Sequence, residues 1–246
     1  MKNILLTGIT RGIGKATCIK LIEDGYFVYG TYNTSKEEGE KMKKELKNIE
    51  IYQADFSNRN STNKLIQELQ DITFHGIVNN AGIILFEDWD SFSMKTWDTI
   101  MEVNVNAPLM LAHALRNNIT KGGSILNIAS TDGLVGALSS IAYSASKAAL
   151  INLTLSLANA FGPKNIRVNA IAPGWIGDGM GSPAIPFAEW IIPFGRTATY
   201  EEVADLIVFL LSDKSTYING STQIIDGGRM AVDFVMKKEA ELTAKS

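Results

Sequence analysis

Thr7-Gly8-Ile9-Thr10-Arg11-Gly12-Ile13-Gly14 is the stretch on which the reading of this chain turns. It follows the apolar, strand-like run Asn3–Thr7 and opens a stretch of helical character, Gly12–Asp24. Glycines at a strand-to-helix turn allow a tight reversal and let backbone N–H groups approach a pyrophosphate. The helix N-terminus adds partial positive charge at the same place. Glycine-rich turns occur in many folds. A turn placed between a strand and a helix predicts a nucleotide site, with Gly8, Thr10, Arg11, Gly12, Ile13 and Gly14 as its contacts.

On either side the same alternation continues. Strands are predicted at Tyr26–Thr31, Ile49–Ala54, Gly76–Asn79, Ser124–Ala129, Arg167–Ile171 and Thr222–Ile225. Helices are predicted near Lys36–Lys47, Ser61–Leu69, Thr96–Asn117, Ala142–Phe161 and Glu201–Leu211. Near-continuous Val, Ile and Leu in the strands are what strands buried on both faces show. Strand–helix–strand repetition predicts an α/β fold, a parallel sheet covered by helices on both sides. No linker, low-complexity stretch or repeat divides the chain, so residues 1–228 are read as one binding and catalytic domain.

Two segments break the rhythm. Residues 174–194 are rich in Gly and Pro, carry Trp175, Phe187, Trp190 and Phe194, and are read as a substrate lid. Residues 229–246 are read as a helical, amphipathic extension, with Val232, Phe234 and Val235 followed by Lys237, Lys238 and Glu239. Packing on a neighbouring subunit and fraying are both open to that tail.

Composition narrows the class of protein. A chain of 246 residues, 46% hydrophobic, is long enough for a large core. Its net charge of −3 comes without a basic stripe, which argues against nucleic acid as a partner. No apolar run approaches the roughly 20 residues a membrane span requires, and the N-terminus lacks the features of a secretory signal. One cysteine, Cys18, allows no internal disulfide, and the separated His75 and His113 offer no metal-site spacing. A cytoplasmic protein without a metal is the expectation.

Tyr143 and Lys147, at i and i+4 of a predicted helix, share one face. A free phenol, with a pKa of about 10, is a poor base at neutral pH. A neighbouring ammonium lowers such a pKa by roughly 1–3 units and brings tyrosine towards general acid–base work. Ser130, at a predicted strand end, could hydrogen-bond a reacting oxygen there. Taken singly, each has an ordinary explanation, as a surface pair or as a cap or turn residue.

The spacing Gly8-x-x-x-Gly12-x-Gly14 is wider than the commoner dinucleotide fingerprint, and with it the chain resembles the short-chain dehydrogenase/reductase family. The resemblance runs from Asn3 to about Gly228. It includes, in order, Asn79-Asn80-Ala81-Gly82, Asn104, Ser130, Tyr143-Ser144-Ala145-Ser146-Lys147 and Pro173-Gly174. Within the family the chain is most similar to 3-oxoacyl-acyl-carrier-protein reductases. The resemblance implies a seven-stranded, mainly parallel Rossmann sheet, usually in a homotetramer. It implies a catalytic set of Asn104, Ser130, Tyr143 and Lys147, with Asn104 ordering a relay water. Asp55 would bind the adenine ring, with a helix cap or turn as its other reading. Asn80, Ala81 and Gly82 would line the ribose side, and Pro173, Gly174 and Ile176 would lie beside the cofactor with Tyr143 and Lys147.

An acid at the end of the second strand would grip the ribose 2′-hydroxyl of NAD and repel a 2′-phosphate. Here Tyr32 holds that position, while Arg11, Asn33 and Thr34 can reach a phosphate, so NADP(H) is expected over NAD(H). Solvent exposure at a helix start is the other reading of Arg11. Two positions depart from the family or stand open. Asp178 occupies a slot where the family usually has threonine, and a carboxylate there would be repelled by a pyrophosphate. Asp132 is either a hook for a substrate amine or hydroxyl or a cap on the turn at Gly133. The segment 174–194 is short for an acyl-carrier-protein reductase lid, and Arg116, Lys121, Arg167 and Arg196 form no evident carrier-binding patch. The expectation is an NADPH-dependent reductase of a small-molecule carbonyl, with a carrier-bound acyl chain among the candidates. Its alternatives are a sugar, polyol or specialised-metabolite dehydrogenase and a non-catalytic nucleotide sensor.

Overall fold

In the computed structural model, which describes residues 1–86, 88–179 and 187–243, one seven-stranded sheet runs through the chain. Its strands are β1 (Asn3–Leu6), β2 (Phe27–Tyr32), β3 (Ile49–Gln53), β4 (Phe74–Asn79), β5 (Ile119–Ile128), β6 (Arg167–Pro173) and β7 (Thr222–Ile225). All pairings are parallel, in the order β3-β2-β1-β4-β5-β6-β7.

Side chains alternate across this sheet with the two-residue period of a strand. Leu5, Ile77 and Ile125 enter one core with Leu65, Leu111, Leu115 and Phe161. Their neighbours Ile4, Leu6, Val78 and Leu126 enter the other with Cys18, Leu21, Ile207 and Leu210. The first core is roofed by α3 (Arg59–Leu69), α5 (Ala107–Ala114) and α6 (Ile141–Phe161). The second lies beneath α1 (Gly12–Glu23) and α8 (Tyr200–Leu211), which pack against each other. The remaining helices are α2 (Lys36–Glu45), α4 (Met94–Met101), α7 (Ala188–Ile191) and α9 (Phe234–Thr243).

The strand order places the site. After β3 the chain crosses back to lay β4 on the other side of β1, so the connections from β1 and β4 leave in opposite directions. The crevice at their carboxyl ends is the topological switch point where such sheets bind ligands. Thr7–Gly14 and Asn80–Gly82 line it.

Two predicted elements differ from the structure. The helix expected over Thr96–Asn117 is divided into α4, a π-helical turn at Glu102–Asn106 and α5. Pro108, which has no N–H to donate, sits in the first turn of α5, where its loss costs least. Strand β5 begins at Ile119, ahead of the predicted Ser124, because Gly122 and Gly123 are carried inside it. Gly122 has φ +84°, and the β4 pairing shifts register between Phe74 and Gly76.

The C-terminal helix α9 packs on its own chain. The Trp190 indole N–H donates to Glu241 at 2.7 Å, and the Trp190 and Phe234 rings lie 5.6 Å apart. Residues 180–186 of the predicted lid and 244–246 of the tail lie outside the described residues. Among the described residues no helix is long and apolar enough to cross a membrane, and no His/Cys/Asp/Glu group could hold a metal ion.

Candidate active site

The glycine turn is held by the ends of three strands. Thr31 O accepts from the N–H groups of Gly8 (3.1 Å) and Ile9 (2.9 Å), and Gly8 takes φ +75°. Asn80 donates its side-chain amide to Thr7 O at 2.8 Å and to Gly8 O at 3.1 Å. Thr7 Oγ1 accepts in return from the backbone of Asn80 (3.0 Å) and Ala81 (2.9 Å). Asn80, predicted to line the ribose side, therefore spends its side-chain amide on the turn itself. Gly14 is the tightest point, since a Cβ there would lie 2.0 Å from Gly8 O and 2.6 Å from Asn80 Nδ2.

Positive charge and free donors collect around this turn. Helix α1 has no acid in its first turn. Arg11 is its exposed N-cap residue, with no side-chain hydrogen bond or ion pair among the described residues. Thr10 and Ile13 flank it, half-buried. At the end of β2, Tyr32 is buried with its ring against Gly39, while Asn33 and Thr34 are exposed. Asp55 Oδ1 accepts from Ser57 N (3.0 Å) and Ser57 Oγ (2.7 Å), which makes it the turn residue at the entry to α3. Its backbone N–H donates to Ser61 Oγ at 2.9 Å.

Beyond β6, Gly174 N donates to Ile225 O at 2.9 Å, which ties the Pro173-Gly174 turn to the end of β7. Ile176 is buried and bridges to Ala198. Asp178 is turned onto the Tyr200 hydroxyl, which donates to its Oδ1 at 2.5 Å and holds its pKa below the ordinary carboxylate value. The Tyr200 ring also packs on Gly12 and Gly177, where a Cβ would meet it at 3.4 and 2.4 Å. Tyr200 thus braces the glycine turn against the loop after β6, a role not read from the sequence. The capping box Thr199–Glu202, which fixes the start of α8 beside it, was the available signal.

The four predicted catalytic residues converge on one patch beside this crevice. Tyr143, in the first turn of α6, is buried, and its phenol lies beside the Ser130 hydroxyl. Ser130 Oγ accepts from Asp132 N at 3.1 Å, so Ser130 rather than Asp132 caps the turn at Gly133. Lys147 Nζ donates to Ile128 O at 2.7 Å and lies 5.5 Å from the centroid of the Tyr143 ring. Asn104, presented by the π-turn, accepts from Ile83 N at 2.9 Å and donates to Ile83 O and Ser146 Oγ, both at 3.0 Å. Gly82 sits between the last two, its missing Cβ 3.3 Å from both Asn104 Oδ1 and Lys147 Nζ.

Burial sets the electrostatics here. It pushes the Tyr143 phenol up to about 12, against the lowering influence of the neighbouring Ser130 hydroxyl, with Asp132 acting in the same direction as burial. It pushes the Lys147 ammonium down to about 8. The expected lowering of the phenol by Lys147 is thus not met by the protein alone. The amine turns to Ile128 O and the ring face instead of the hydroxyl, and desolvation wins.

A family model described as enoyl-(acyl carrier protein) reductase matches residues 8–229. The 3-oxoacyl-[acyl-carrier-protein] reductase of Aquifex aeolicus is 34% identical over 240 residues, covering 91% of this chain and 95% of that protein. The 2-dehydro-3-deoxy-D-gluconate 5-dehydrogenase of Pseudoalteromonas atlantica is 33% identical over 250 residues, covering 93% and 96%. A short-chain dehydrogenase of Burkholderia cenocepacia, solved in complex with NADP, superposes with a TM-score of 0.87 at 28% identity, covering 93% of this chain and 98% of that one. The chain belongs to the short-chain dehydrogenase/reductase family. It is a nicotinamide-dependent oxidoreductase of CH–OH and C=O groups.

Gly14→Ala forces a methyl against a backbone oxygen that cannot yield. We expect a loss of about 1–3 kcal/mol or more in stability. Cofactor affinity should fall with it, read by thermal melting and by titration of NADPH fluorescence; unchanged values in both would refute the account of the turn.

Proposed function

We propose that the protein is an NADPH-dependent carbonyl reductase in which Tyr143 is the general acid. The observation that carries this reading is the buried cluster of Ser130, Tyr143 and Lys147, with Lys147 Nζ 5.5 Å from the Tyr143 ring, at the mouth of the glycine-lined crevice. The relatives include 3-oxoacyl reductases and a sugar-acid dehydrogenase, and the reading commits to the ketone that both kinds of chemistry share.

The crevice suits a dinucleotide. Backbone N–H groups at the start of α1, crowding that only glycine tolerates at Gly14, and an Arg11 with no hydrogen bond or ion pair among the described residues are what a pyrophosphate needs. Gly8, Thr10, Arg11, Gly12, Ile13 and Gly14 would hold the phosphates, with Asn33, Thr34 and Arg11 on a 2′-phosphate. Asp55 would serve the adenine, Ala81 and Gly82 the ribose, and Pro173, Gly174 and Ile176 the nicotinamide side. Bound in reduced form, the cofactor supplies the hydride that reaches the carbonyl carbon. Tyr143 gives its hydroxyl proton to the carbonyl oxygen while Ser130 hydrogen-bonds that oxygen. The Lys147 ammonium stabilises the phenolate left behind. Asn104 Oδ1, which faces Gly82 beside Lys147 Nζ, is placed to hold a relay water. The segment 174–194 would serve as the lid of the domain spanning 1–228, and in the tail α9 meets it where Trp190 donates to Glu241.

We also infer a cytoplasmic homotetramer. Leu109 on α5 and Leu155 on α6, 40% and 43% exposed, leave apolar surface of the kind a subunit contact covers. Light scattering should give a mass near four chains; a monomer at micromolar concentration would overturn this.

Tyr143→Phe should lower turnover by about 10²–10⁴-fold with cofactor binding retained. With the phenol pushed up to about 12, the acid form dominates at neutral pH, so reduction should hold steady there and fall in alkali. Alcohol oxidation, which needs the base, should rise with pH. Inverted profiles, or a fully active Phe variant, would remove Tyr143 from its role.

Catalytic efficiency should favour NADPH over NADH, and Arg11→Ser should cut that preference by about tenfold or more, the scale of a charge-assisted phosphate contact. An intrinsic NADH preference would sink the cofactor assignment.

A further inference from the structure

The mouth of the catalytic patch carries a cation that neither the proton transfer nor the cofactor uses. Arg229 follows β7, and its backbone is fixed on both sides by one carboxylate. Asp226 accepts from Gly228 N at 2.9 Å and from Met230 N at 2.7 Å. The guanidinium lies over the Trp175 ring, 5.3 Å from its centroid, and donates from Nη1 to Thr131 Oγ1 at 3.2 Å. Thr131 adjoins Ser130, and Trp175 adjoins Gly174, so the group sits on the substrate side of the crevice. Asp132 Oδ1 is 3.9 Å away, outside hydrogen-bond range. Of the five N–H donors a guanidinium carries, only this one hydrogen bond is made among the described residues. The side chain is 22% exposed, and its long ion pair with Asp132 leaves the other N–H donors without a hydrogen bond among the described residues. A planar, stacked, half-buried fork with spare donors is the arrangement that binds a carboxylate bidentately.

We propose that Arg229 anchors a substrate carboxylate, so that the acceptor is an oxo acid with a free acid group. Asp132, half-exposed beside it, then faces the neighbouring substrate carbons, where it can accept from a hydroxyl. This narrows the carbonyl-reductase reading and rests on it for the reaction, while the binding itself does not.

The test compares acetoacetate and levulinate with their methyl esters, in the wild type, R229M and R229K. Turnover is followed with NADPH, and binding by quenching of tryptophan fluorescence in the presence of NADP⁺. We expect the wild type to prefer the acids, chiefly through KM. R229M should cut the acid-to-ester ratio of kcat/KM by about tenfold or more, the scale of a charge-assisted hydrogen bond, with R229K retaining part of it. Circular dichroism and NADPH binding establish that the variants fold. Equal handling of acids and esters by the wild type, or a ratio unmoved in R229M, overturns the anchor and leaves the reductase reading intact. Acid-selective binding that is lost in R229M, without turnover of any ketone, upholds the anchor and overturns the reductase.

Discussion

An ammonium with almost no access to water is the constraint around which the site is built. Lys147 is 4% exposed, and Ile128 O is its hydrogen-bond acceptor. Burying a cation costs several kcal/mol unless neighbours compensate. The surrounding backbone is shaped to keep it there. Gly133 lets the turn after Ser130 lie directly on the backbone of Lys147 and Ala148, where a Cβ would come within 2.7 and 2.8 Å. Gly82 leaves room for the amine itself, and the π-turn presents Asn104 on the other side of it. A π-bulge recurs at functional sites because it aims a side chain that regular helix geometry would turn away.

The same burial acts with opposite sign on the two ionisable groups. It raises the phenol and lowers the amine, so each is driven towards its neutral form. Neither charge is comfortable alone, and a charge on either makes the opposite charge on the other easier. At neutral pH the phenol keeps its proton and the amine, at about 8, remains mostly an ammonium. The pair gains most when negative charge develops at the phenolic oxygen, which is the moment proton transfer demands. Perturbation by desolvation at the lip of a crevice is how working acids and bases are tuned.

Much of this was legible because glycine carries backbone information in sequence. Gly8, Gly12 and Gly14 mark a turn at a fixed spacing, and their reason is visible in the carbonyl that would collide with a Cβ at Gly14. The strands were legible because consecutive apolar residues such as Leu5 and Leu6 each have a core to enter, one on either face of the sheet. Contacts between residues remote in sequence were not. No local pattern says that Tyr200 will press on Gly12, or that Asp178 will turn to its hydroxyl. The i, i+4 spacing put Lys147 and Tyr143 on one face correctly, yet it could not tell that the amine would bond Ile128 O. The sign of the phenol's shift followed from that three-dimensional detail.

Chemistry and selectivity are carried by different parts of the sheet. The proposed proton handling draws on the ends of β4 and β5 and on α6, where Gly82, Ser130, Tyr143 and Lys147 are packed by close approaches. The substrate side comes from the ends of β6 and β7, where Trp175 and Arg229 meet across a turn held by Gly174 and Asp226. There a Cβ on Gly174 would meet Asp226 Cβ at 2.7 Å, so the scaffold is tight, while Arg229 reaches back over Trp175 to the Thr131 hydroxyl. The division between the two sides lets relatives about one-third identical over nearly the whole chain bear names for different substrates. On this reading the Tyr143–Lys147 patch speaks for the reaction alone, and the substrate must be read from the residues facing it.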